Sequence, residues 1–284
     1  MSNKILYKIC KVLNNNVILA YDIKTNKELV LVGKGVGFGH KKNEEVLIDA
    51  EDIEKFFINY DEKSKNEYLQ LINELDSKVM GISEEIIVLA ENKLKKLNPH
   101  IHIALTDHIS FALERLKNGF EINNPFTEEI KILYPDEYEV GIKASEMLYN
   151  RLKIKIPVSE IGFIAMHLHA ARQNKKVSET VKYTSFLKNI VKMIEDEINI
   201  KLYVNDLSYK RLITHLRFSL DRMEKGKMIQ NPLLKKIKFE FKETYKLAEK
   251  IGRKINKKLD LSVSEDELGY LTIHLHRLRN NIIK

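Results

Sequence analysis

The stretch Glu160-Ile-Gly-Phe-Ile-Ala-Met-His-Leu-His-Ala-Ala-Arg172 decides the fold, because it recurs further along the chain as Glu267-Leu-Gly-Tyr-Leu-Thr-Ile-His-Leu-His-Arg-Leu-Arg279. One constant shift aligns residues 108–173 with residues 215–280 without a gap, and 19 of the 66 positions are identical. The two copies are 107 residues apart in the sequence, which is the size of a domain and too long for a solenoid unit. The sequence therefore predicts two homologous domains in the last two-thirds of the chain.

Both copies have the apolar spacing of amphipathic helices, with an apolar residue every three or four positions. Matching glycines, Gly119 and Gly226, stand where a helix is expected to stop. Ser264 and Glu267 have the spacing of a capping box, which predicts that a helix begins there. Each copy is therefore predicted to be an all-α helical bundle. In the first copy the predicted helices cover Ile82–Leu97, His108–Leu116, Val140–Leu152 and Glu160–Ala171.

Residues 1–56 have a different pattern, which predicts a small antiparallel β-sheet. Short β-branched or aliphatic runs are bounded by turn residues such as Asn14-Asn15-Asn16 and Gly33-Lys34-Gly35. A sheet of this size lies near the lower limit of independent folding, so we expect a homodimer to brace it. The predicted fold class is therefore multidomain α+β, a small antiparallel sheet followed by two homologous helical bundles. The predicted strands are Lys4–Val12, Asn16–Asp22, Glu28–Val32 and Glu45–Ile48.

The chain is basic, with a formal net charge of +8 and a pI near 9.2, and its charge is uneven. Residues 1–42 have a net charge of +6, whereas residues 43–56 hold six acids against Lys55. Residues 209–258 hold 16 Lys and Arg against five acids. Such a balance suits a polyanionic partner, but these basic runs equally suit solvated faces. Charge alone therefore does not locate a nucleic-acid site.

Two features of the sequence bear on its cellular compartment. No apolar run reaches the roughly 18 residues of a membrane span, so we expect no stable membrane association. Cys10 is the single cysteine, which excludes a disulfide within the chain and favours a reducing cytoplasm. Cytoplasmic localisation is therefore the expectation.

Six of the nine histidines fall on matched positions of the repeat, which makes them the main candidates for function. They pair as His108 with His215, His167 with His274, and His169 with His276. Three interpretations compete with a structural role: a metal site, a hydrolase and a phosphotransfer site. Helical residues two positions apart point about 200° apart, so one metal cannot bind both histidines of a His-x-His pair.

The sequence predicts no metal, no cofactor and no catalytic residue. It lacks a Gly-x-Ser-x-Gly motif, a Walker A loop and a His-Glu-x-x-His motif, which lowers the case for a hydrolase. Phosphotransfer remains open, because imidazole is nucleophilic near neutral pH and a phosphoryl group adds a large negative charge. Arginines at matched positions, Arg115, Arg172, Arg222 and Arg279, would be available to pair with that charge.

Two sets of motifs together resemble the BglG/SacY family of transcriptional antiterminators, over the whole length of the chain. Lys11–Val17 and Gly33–Gly39 are similar to the co-antiterminator RNA-binding domain of that family. Leu105–Ile109 and Glu160–His169, with their shifted copies, are similar to its two PTS regulation domains, which respond to the sugar phosphotransferase system (PTS). The Gly-Lys-Gly-Val-Gly-Phe-Gly wording is most similar to the glucose-responsive branch. The resemblance implies an RNA-binding domain in residues 1–57 and regulation domains in residues 66–172 and 173–284.

The resemblance also implies a function and its partners. Such a protein is not an enzyme; as a homodimer it binds a hairpin in the leader transcript and prevents a terminator from forming. Phosphocarrier HPr and a sugar-specific PTS permease (enzyme II) phosphorylate its histidines according to sugar supply. The implied phosphorylation sites are His108, His167, His215 and His274. The implied RNA contacts are Lys11, Asn14, Asn16, Gly33, Lys34, Gly35 and Phe38.

The chemistry of these residue types suits RNA, which proteins read in loops by base stacking and amide hydrogen bonds. On the residues alone, however, the Asn run also fits a turn, the glycines fit a hairpin, and Phe38 fits a core position. Lys34 departs from the arginine that many relatives carry, and lysine cannot stack a planar guanidinium on a base.

The two regulation modules differ beside their first histidine. Asp107 precedes His108 and is expected to orient its imidazole, whereas Thr214 precedes His215. We therefore expect the modules to respond to different phosphate donors. The alternative function is a PTS-regulated phosphocarrier or a DNA-binding activator, but the sequence lacks a helix-turn-helix or ATPase module to support it.

Overall fold

The computed structural model of the chain describes residues 4–57, 62–227 and 229–281. The chain forms two compact units. One contains residues 1–130 and 134–181, and the other contains residues 131–133 and 182–284. No helix among the described residues is long and apolar enough to cross a membrane.

The N-terminal sheet is antiparallel and has five strands. They are β1 (Lys4–Asn14), β2 (Val17–Asp22), β3 (Lys27–Val32), β4 (Glu45–Asp49) and β5 (Lys55–Phe57), in the spatial order β4-β1-β2-β3-β5. All four predicted strands are present. The sequence missed β5, because so short an edge strand has too few positions to display alternation.

Strand β1 contains register shifts that change the direction of its side chains. Ile9 pairs with Ala20, but the next pair joins Lys11 to Leu19, so Cys10 is an extra residue. A bulge of this kind breaks the strict alternation of a strand. Ile9 and Val12 consequently pack on the same face although an odd number of positions separates them.

Each face of the sheet contains buried apolar residues, although Leu6 and Leu47 at the β4 edge are exposed. One carries Ile9, Ile18 and Leu31 together with Val36 from the loop after β3. The other packs against α1 (Glu62–Glu74) and α2 (Ser77–Leu94), which begin the helical part of the same unit. These two helices therefore brace the small sheet from inside the chain. The apolar residues of this contact are Leu13, Val17, Leu19, Val30, Val32, Tyr68, Ile72, Met80 and Val88.

The first helical module continues with α3 (Ile101–Lys117), α4 (Thr127–Leu133), α5 (Pro135–Leu152) and α6 (Val158–Arg172). Helices α2, α3, α5 and α6 share one apolar core that includes Ile86, Leu105, Ile109, Val140 and Leu168. This packing confirms the predicted helical bundle. It also places α3 and α6 side by side, which brings distant residues of the sequence together.

The second module repeats this element order with α7 (Val177–Ile198), α8 (Leu207–Glu224), α9 (Leu234–Glu240), α10 (Lys242–Leu259) and α11 (Glu265–Asn281). The helix stops predicted at Gly119 and Gly226 are confirmed, since both residues follow a helix end and have positive φ angles of 77° and 61°. The helix start predicted at Ser264 is confirmed as well, because the backbone N–H of Glu267 donates to Ser264 Oγ at 3.3 Å, but the Glu267 side chain binds Arg222 and does not complete the capping box. The duplicated module is therefore a duplicated fold.

Candidate functional sites

The first candidate site lies where the turn after β1 meets the loop after β3. The backbone N–H of Gly33 donates to the carbonyl of Asn16 at 2.9 Å, and that of Gly35 donates to Asn16 Oδ1 at 3.0 Å. Asn14 Oδ1 accepts from the backbone N–H of Asn16 at 2.7 Å. The structure thus brings four of the seven candidate RNA contacts together, although they belong to two separate segments of the chain.

Both glycines among the candidate RNA contacts are required by the backbone of the loop. A Cβ on Gly33 would lie 2.0 Å from the carbonyl oxygen of Asp52, so only glycine fits there. Gly35 has a φ of 76°, which an L side chain rarely adopts. Lys34, which stands between them, is exposed.

Phe38 lies on the surface of the same loop, with 70% of the residue exposed. The interpretation of Phe38 as a core residue is therefore wrong, and its ring offers a free stacking face. Lys11, in contrast, is occupied: its Nζ donates to the backbone carbonyl of Ile72 in α1. The candidate surface thus combines an exposed aromatic ring with amides and a lysine that already have partners.

The second candidate site is a pair of stacked histidines in the first helical module. His108 on α3 and His167 on α6 have ring centroids 4.6 Å apart, with planes inclined by 28°. His108 Nε2 lies 3.4 Å from Oε2 of Glu160, whose other oxygen accepts from Arg115. The Nδ1 atom of His167 is buried and has no hydrogen-bond partner among the described residues. The cluster therefore holds two imidazoles, one carboxylate and one guanidinium.

Shifts in pKa give His167 and Glu160 different charge states within this cluster. Burial, together with the neighbouring charge of His108, lowers the pKa of His167 to about 3. Burial by itself would raise the pKa of Glu160, but His108 and Arg115 outweigh it and hold this pKa below its ordinary value. At neutral pH His167 is consequently a neutral imidazole, the nucleophilic form, and Glu160 is a charged carboxylate.

The second module contains the matching pair with a different arrangement of partners. His215 and His274 have ring centroids 3.5 Å apart. Burial lowers the pKa of His215, and burial together with His215 and Arg277 lowers the pKa of His274 to about 4. Glu267 accepts from Arg222 at 2.9 and 2.8 Å and from Ser219 Oγ at 3.0 Å. This carboxylate is thus fully engaged by an arginine and a serine, whereas Glu160 in the first module faces a histidine.

One residue that differs between the modules beside this carboxylate was not indicated by the sequence motifs. Position 112 in α3 is alanine, and its counterpart in the second module is Ser219. The expected role of Asp107 was wrong, because Asp107 is exposed and the carboxylate that faces His108 belongs to Glu160. Neighbouring helix residues point about 100° apart, so they rarely share a partner. The sequence contained one indication of this carboxylate, because glutamate occupies the matched positions Glu160 and Glu267 of the repeat.

The second histidine of each pair lies on another face of its helix, as predicted. His169 Nδ1 lies 3.0 Å from Oε1 of Glu137, and its ring stacks on Tyr134. His276 packs on Phe241 and lies 2.9 Å from the amide of Asn280. The geometry of an α-helix thus separates each pair into one member within the His–His stack and one outside it.

Three of the four matched arginines already pair with carboxylates. Arg115 pairs with Glu160, Arg222 pairs with Glu267, and Arg172 Nη1 lies 3.2 Å from Glu137 Oε1. They are therefore not free phosphate ligands in this conformation, and a phosphoryl group would have to compete for them. Among the described residues, no group of three or more His, Cys, Asp or Glu is arranged to hold a metal ion.

Comparison with known proteins connects these sites to one family. The model of the CAT RNA binding domain matches residues 7–66, and the model of the PRD domain matches residues 84–171 and 188–278. The chain belongs to the BglG/SacY family of transcription antiterminators. Among its relatives is transcription antiterminator LicT of Bacillus subtilis (strain 168), 34% identical over 275 residues, which cover 95% of this chain and 98% of LicT.

Further antiterminators match to a similar extent. The PtsGHI operon antiterminator of Bacillus subtilis (strain 168) is 38% identical over 279 residues, which cover 97% of this chain and 98% of that protein. A crystal structure of GlcT CAT-PRDI has 41% identity, covers 58% of this chain and 98% of its own, and gives a TM-score of 0.49.

Membership of this antiterminator family decides between the alternatives that the sequence left open. The histidine pairs lie in PRD domains, through which PTS phosphorylation regulates antiterminators, and the loop containing Phe38 lies in the RNA-binding domain. The chain is therefore an RNA-binding transcription regulator, and the interpretation as a DNA-binding activator or phosphocarrier is not supported.

Proposed function

We propose that this antiterminator binds its leader-RNA hairpin as a homodimer, with Lys11, Asn14, Asn16, Gly33, Lys34, Gly35 and Phe38 as the contact residues. The observation that carries the proposal is the exposed ring of Phe38 on the loop that the Asn16 side chain holds through Gly35. RNA loops present unstacked bases, which bind to aromatic faces and to groups that both donate and accept hydrogen bonds. Because a nascent transcript is made in the cytoplasm, we expect the protein to act there.

Phe38→Ala tests this RNA site without disturbing the fold, since 70% of Phe38 is exposed. Loss of one base stack is worth about 1–3 kcal/mol, so the Kd for the leader hairpin should rise about 5-fold to 150-fold. Asn16→Ala should also weaken binding, because Asn16 Oδ1 holds the N–H of Gly35. Gel shifts with the leader hairpin provide the measurement.

The matched control is Phe239→Ala in α9, where the phenylalanine is 86% exposed and lies outside the RNA-binding domain. This control should bind the hairpin with unchanged affinity. If Phe38→Ala and Asn16→Ala both bind as tightly as the natural chain, the assignment of the RNA site is wrong.

We further propose that HPr and a sugar-specific permease phosphorylate His108, His167, His215 and His274, and that the chain performs no turnover chemistry of its own. The neutral imidazole of His167 supports a nucleophilic role. The different partners of Glu160 and Glu267 support different responses of the two modules. Phosphopeptide mapping after transfer from HPr alone, and from HPr with candidate permeases, tests which histidine receives phosphate from which donor.

The charges around His108 suggest how phosphate changes the module. A phosphoryl group carries roughly −1.5 to −2 charges. At an effective dielectric constant of about 20, two like charges roughly 4 Å apart repel by about 4 kcal/mol. Glu160 lies 3.4 Å from His108, and its lowered pKa keeps it charged. Phosphorylation of His108 therefore forces either Glu160 to move or Arg115 to exchange one partner for the other, and the α3–α6 contact repacks.

A further inference from the structure

The two asparagines of the proposed RNA site are oriented so that their amide NH2 groups converge. Asn14 Oδ1 accepts from the N–H of Asn16 at 2.7 Å, and Asn16 Oδ1 accepts from the N–H of Gly35 at 3.0 Å. Since each amide oxygen is held by the backbone, each Nδ2 is left to donate outwards. The turn therefore presents two fixed donors, which suit an acceptor with two oxygens.

A carboxylate from the helical module occupies both donors. Glu85 on α2 accepts from Asn14 Nδ2 through Oε1 at 2.8 Å and from Asn16 Nδ2 through Oε2 at 3.1 Å. Arg151 Nη2 on α5 donates to Oε2 of Glu85 at 3.2 Å and so helps to hold the carboxylate in place. The Glu85 side chain is 14% exposed, so the contact is largely shielded from solvent.

The approach of α2 to the turn depends on a glycine. Gly81 lies one helical turn before Glu85 and therefore on the same side of α2. A Cβ on Gly81 would lie 2.3 Å from Asn14 Nδ2, closer than real Cβ contacts allow. The third polar contact of this surface is the Lys11 ammonium, which donates to the carbonyl of Ile72 in α1. Helices α1 and α2 thus occupy three of the side chains proposed to bind RNA.

We propose that Glu85 is an internal competitor of RNA, a carboxylate that takes the place of an RNA acceptor on Asn14 and Asn16. The inference rests on the proposed RNA site. Each Nδ2 has two hydrogens, but the Glu85 carboxylate lies 2.8 and 3.1 Å from the two amides and repels an RNA phosphate that approaches them, so RNA and α2 compete for this position. Hairpin binding then requires α2 to release the turn, and the resting chain holds its RNA site closed.

This competition gives the first PRD domain a direct route to the RNA site. Helix α2 packs against α3, which carries His108, and against α5, which carries Arg151. A repacking of α3 therefore reaches the helix that supplies the competing carboxylate. The contact is within one chain, so it acts whether or not the protein is a dimer.

Glu85→Ala in the full-length chain tests the proposal. It removes the competing acceptor, and the unphosphorylated variant should bind the leader hairpin roughly ten-fold more tightly, since two charge-assisted hydrogen bonds no longer oppose binding. The matched control is Glu146→Ala, which removes a carboxylate from α5 of the same module, outside the contact with the turn. This control should leave the affinity within two-fold of the natural chain.

Hydrogen exchange separates competition from a general effect of charge. Addition of the hairpin to the natural chain should slow exchange in the loop of residues 33–39 and speed exchange in the first turns of α2. Slower exchange in both segments would mean that RNA binds without displacing α2, and would overturn the proposal.

The results also distinguish this inference from the proposed function. If hairpin binding depends on Phe38 but Glu85→Ala leaves the affinity unchanged, Glu85 does not compete with RNA, whereas the assignment of the RNA site is retained. If Phe38→Ala and Asn16→Ala have no effect on hairpin binding, the RNA site itself is wrong. Equal gains in hairpin affinity for Glu85→Ala and Glu146→Ala would show that the gain comes from the change in net charge. This result would also overturn the proposal that Glu85 competes with RNA.

Discussion

His167→Gln should make the first helical module less sensitive to acid. The folded protein keeps His167 neutral down to about pH 3, whereas an unfolded histidine has its ordinary pKa of 6.5. Below pH 6.5 the unfolded state therefore binds a proton that the folded state does not bind. The free energy of unfolding consequently falls as the pH falls from 6.5 towards 3. Above pH 6.5 the two states bind the same number of protons, and this contribution to the pH dependence vanishes.

The size of this loss of stability follows from the difference between the pKa values of His167 in the folded and unfolded states. Each pKa unit is worth about 1.4 kcal/mol, so the full difference is at most about 5 kcal/mol. Between pH 7.5 and pH 5 only the portion from 6.5 to 5 is lost, which is about 2 kcal/mol. Over this interval carboxylates with pKa values at or below about 4.5 are mostly charged in both states, so each contributes less to the slope than a histidine.

Hydrogen-exchange mass spectrometry of full-length protein measures the effect locally. Protection factors in α6 give the opening free energy at pH 7.5, 6.5, 5.5 and 5. The natural chain should lose about 2 kcal/mol over this range, and His167→Gln should lose much less. His100→Gln, which changes an exposed histidine at the start of α3, is the control and should keep the natural slope. Equal slopes for the natural chain and His167→Gln would refute the burial of a neutral imidazole.

Two further predictions concern pairs of matched positions in the repeat. Ser219→Ala removes one of the two donors to Glu267 Oε2 and leaves Arg222 as the other, so that oxygen can accept from His215 and the pKa of His215 should rise by about one unit in an NMR titration. An unchanged pKa would show that Ser219 does not separate the two modules. Gly162→Ala and Gly269→Ala should each cost about 1–3 kcal/mol, because a Cβ would lie 2.9 and 2.7 Å from the amide nitrogens of Asn124 and Asn231. Urea titrations followed by circular dichroism measure both losses, and unchanged midpoints would show that the helices shift freely.

The repeat allowed the helical architecture to be predicted because two copies of one pattern provide independent evidence for each helix. The same comparison separated His167 from His169, since helix geometry alone places them on different faces. The sequence wrongly indicated Asp107 as the partner of His108, because adjacency in sequence does not imply proximity in space. The partner of His108 is Glu160, which belongs to another helix and is reached only through the packing of α3 on α6.

Contacts between the sheet and the helices were beyond the reach of the sequence. Glu85 is one of many charged residues on a predicted helix, and nothing in its neighbours indicates that it meets Asn14 and Asn16, which lie far earlier in the chain. Glu84 beside it is fully buried, accepts from Tyr68 at 2.6 Å and lies 2.7 Å from His102 Nδ1. Such buried polar contacts depend on tertiary packing, which periodicity does not encode.

Control of RNA binding by phosphorylation is tested most directly by the affinity of the full-length protein for the hairpin. This affinity is measured before and after phosphorylation by purified HPr and the cognate permease. The phosphorylated histidines are mapped in the same samples. We expect phosphate on His108 or His167 to weaken binding of the leader hairpin at least ten-fold. A double variant, His108→Ala with His167→Ala, should keep its affinity after the same treatment. Hairpin binding that is unchanged while phosphate is present on His108 or His167 would contradict control of RNA binding by phosphorylation of the first PRD domain.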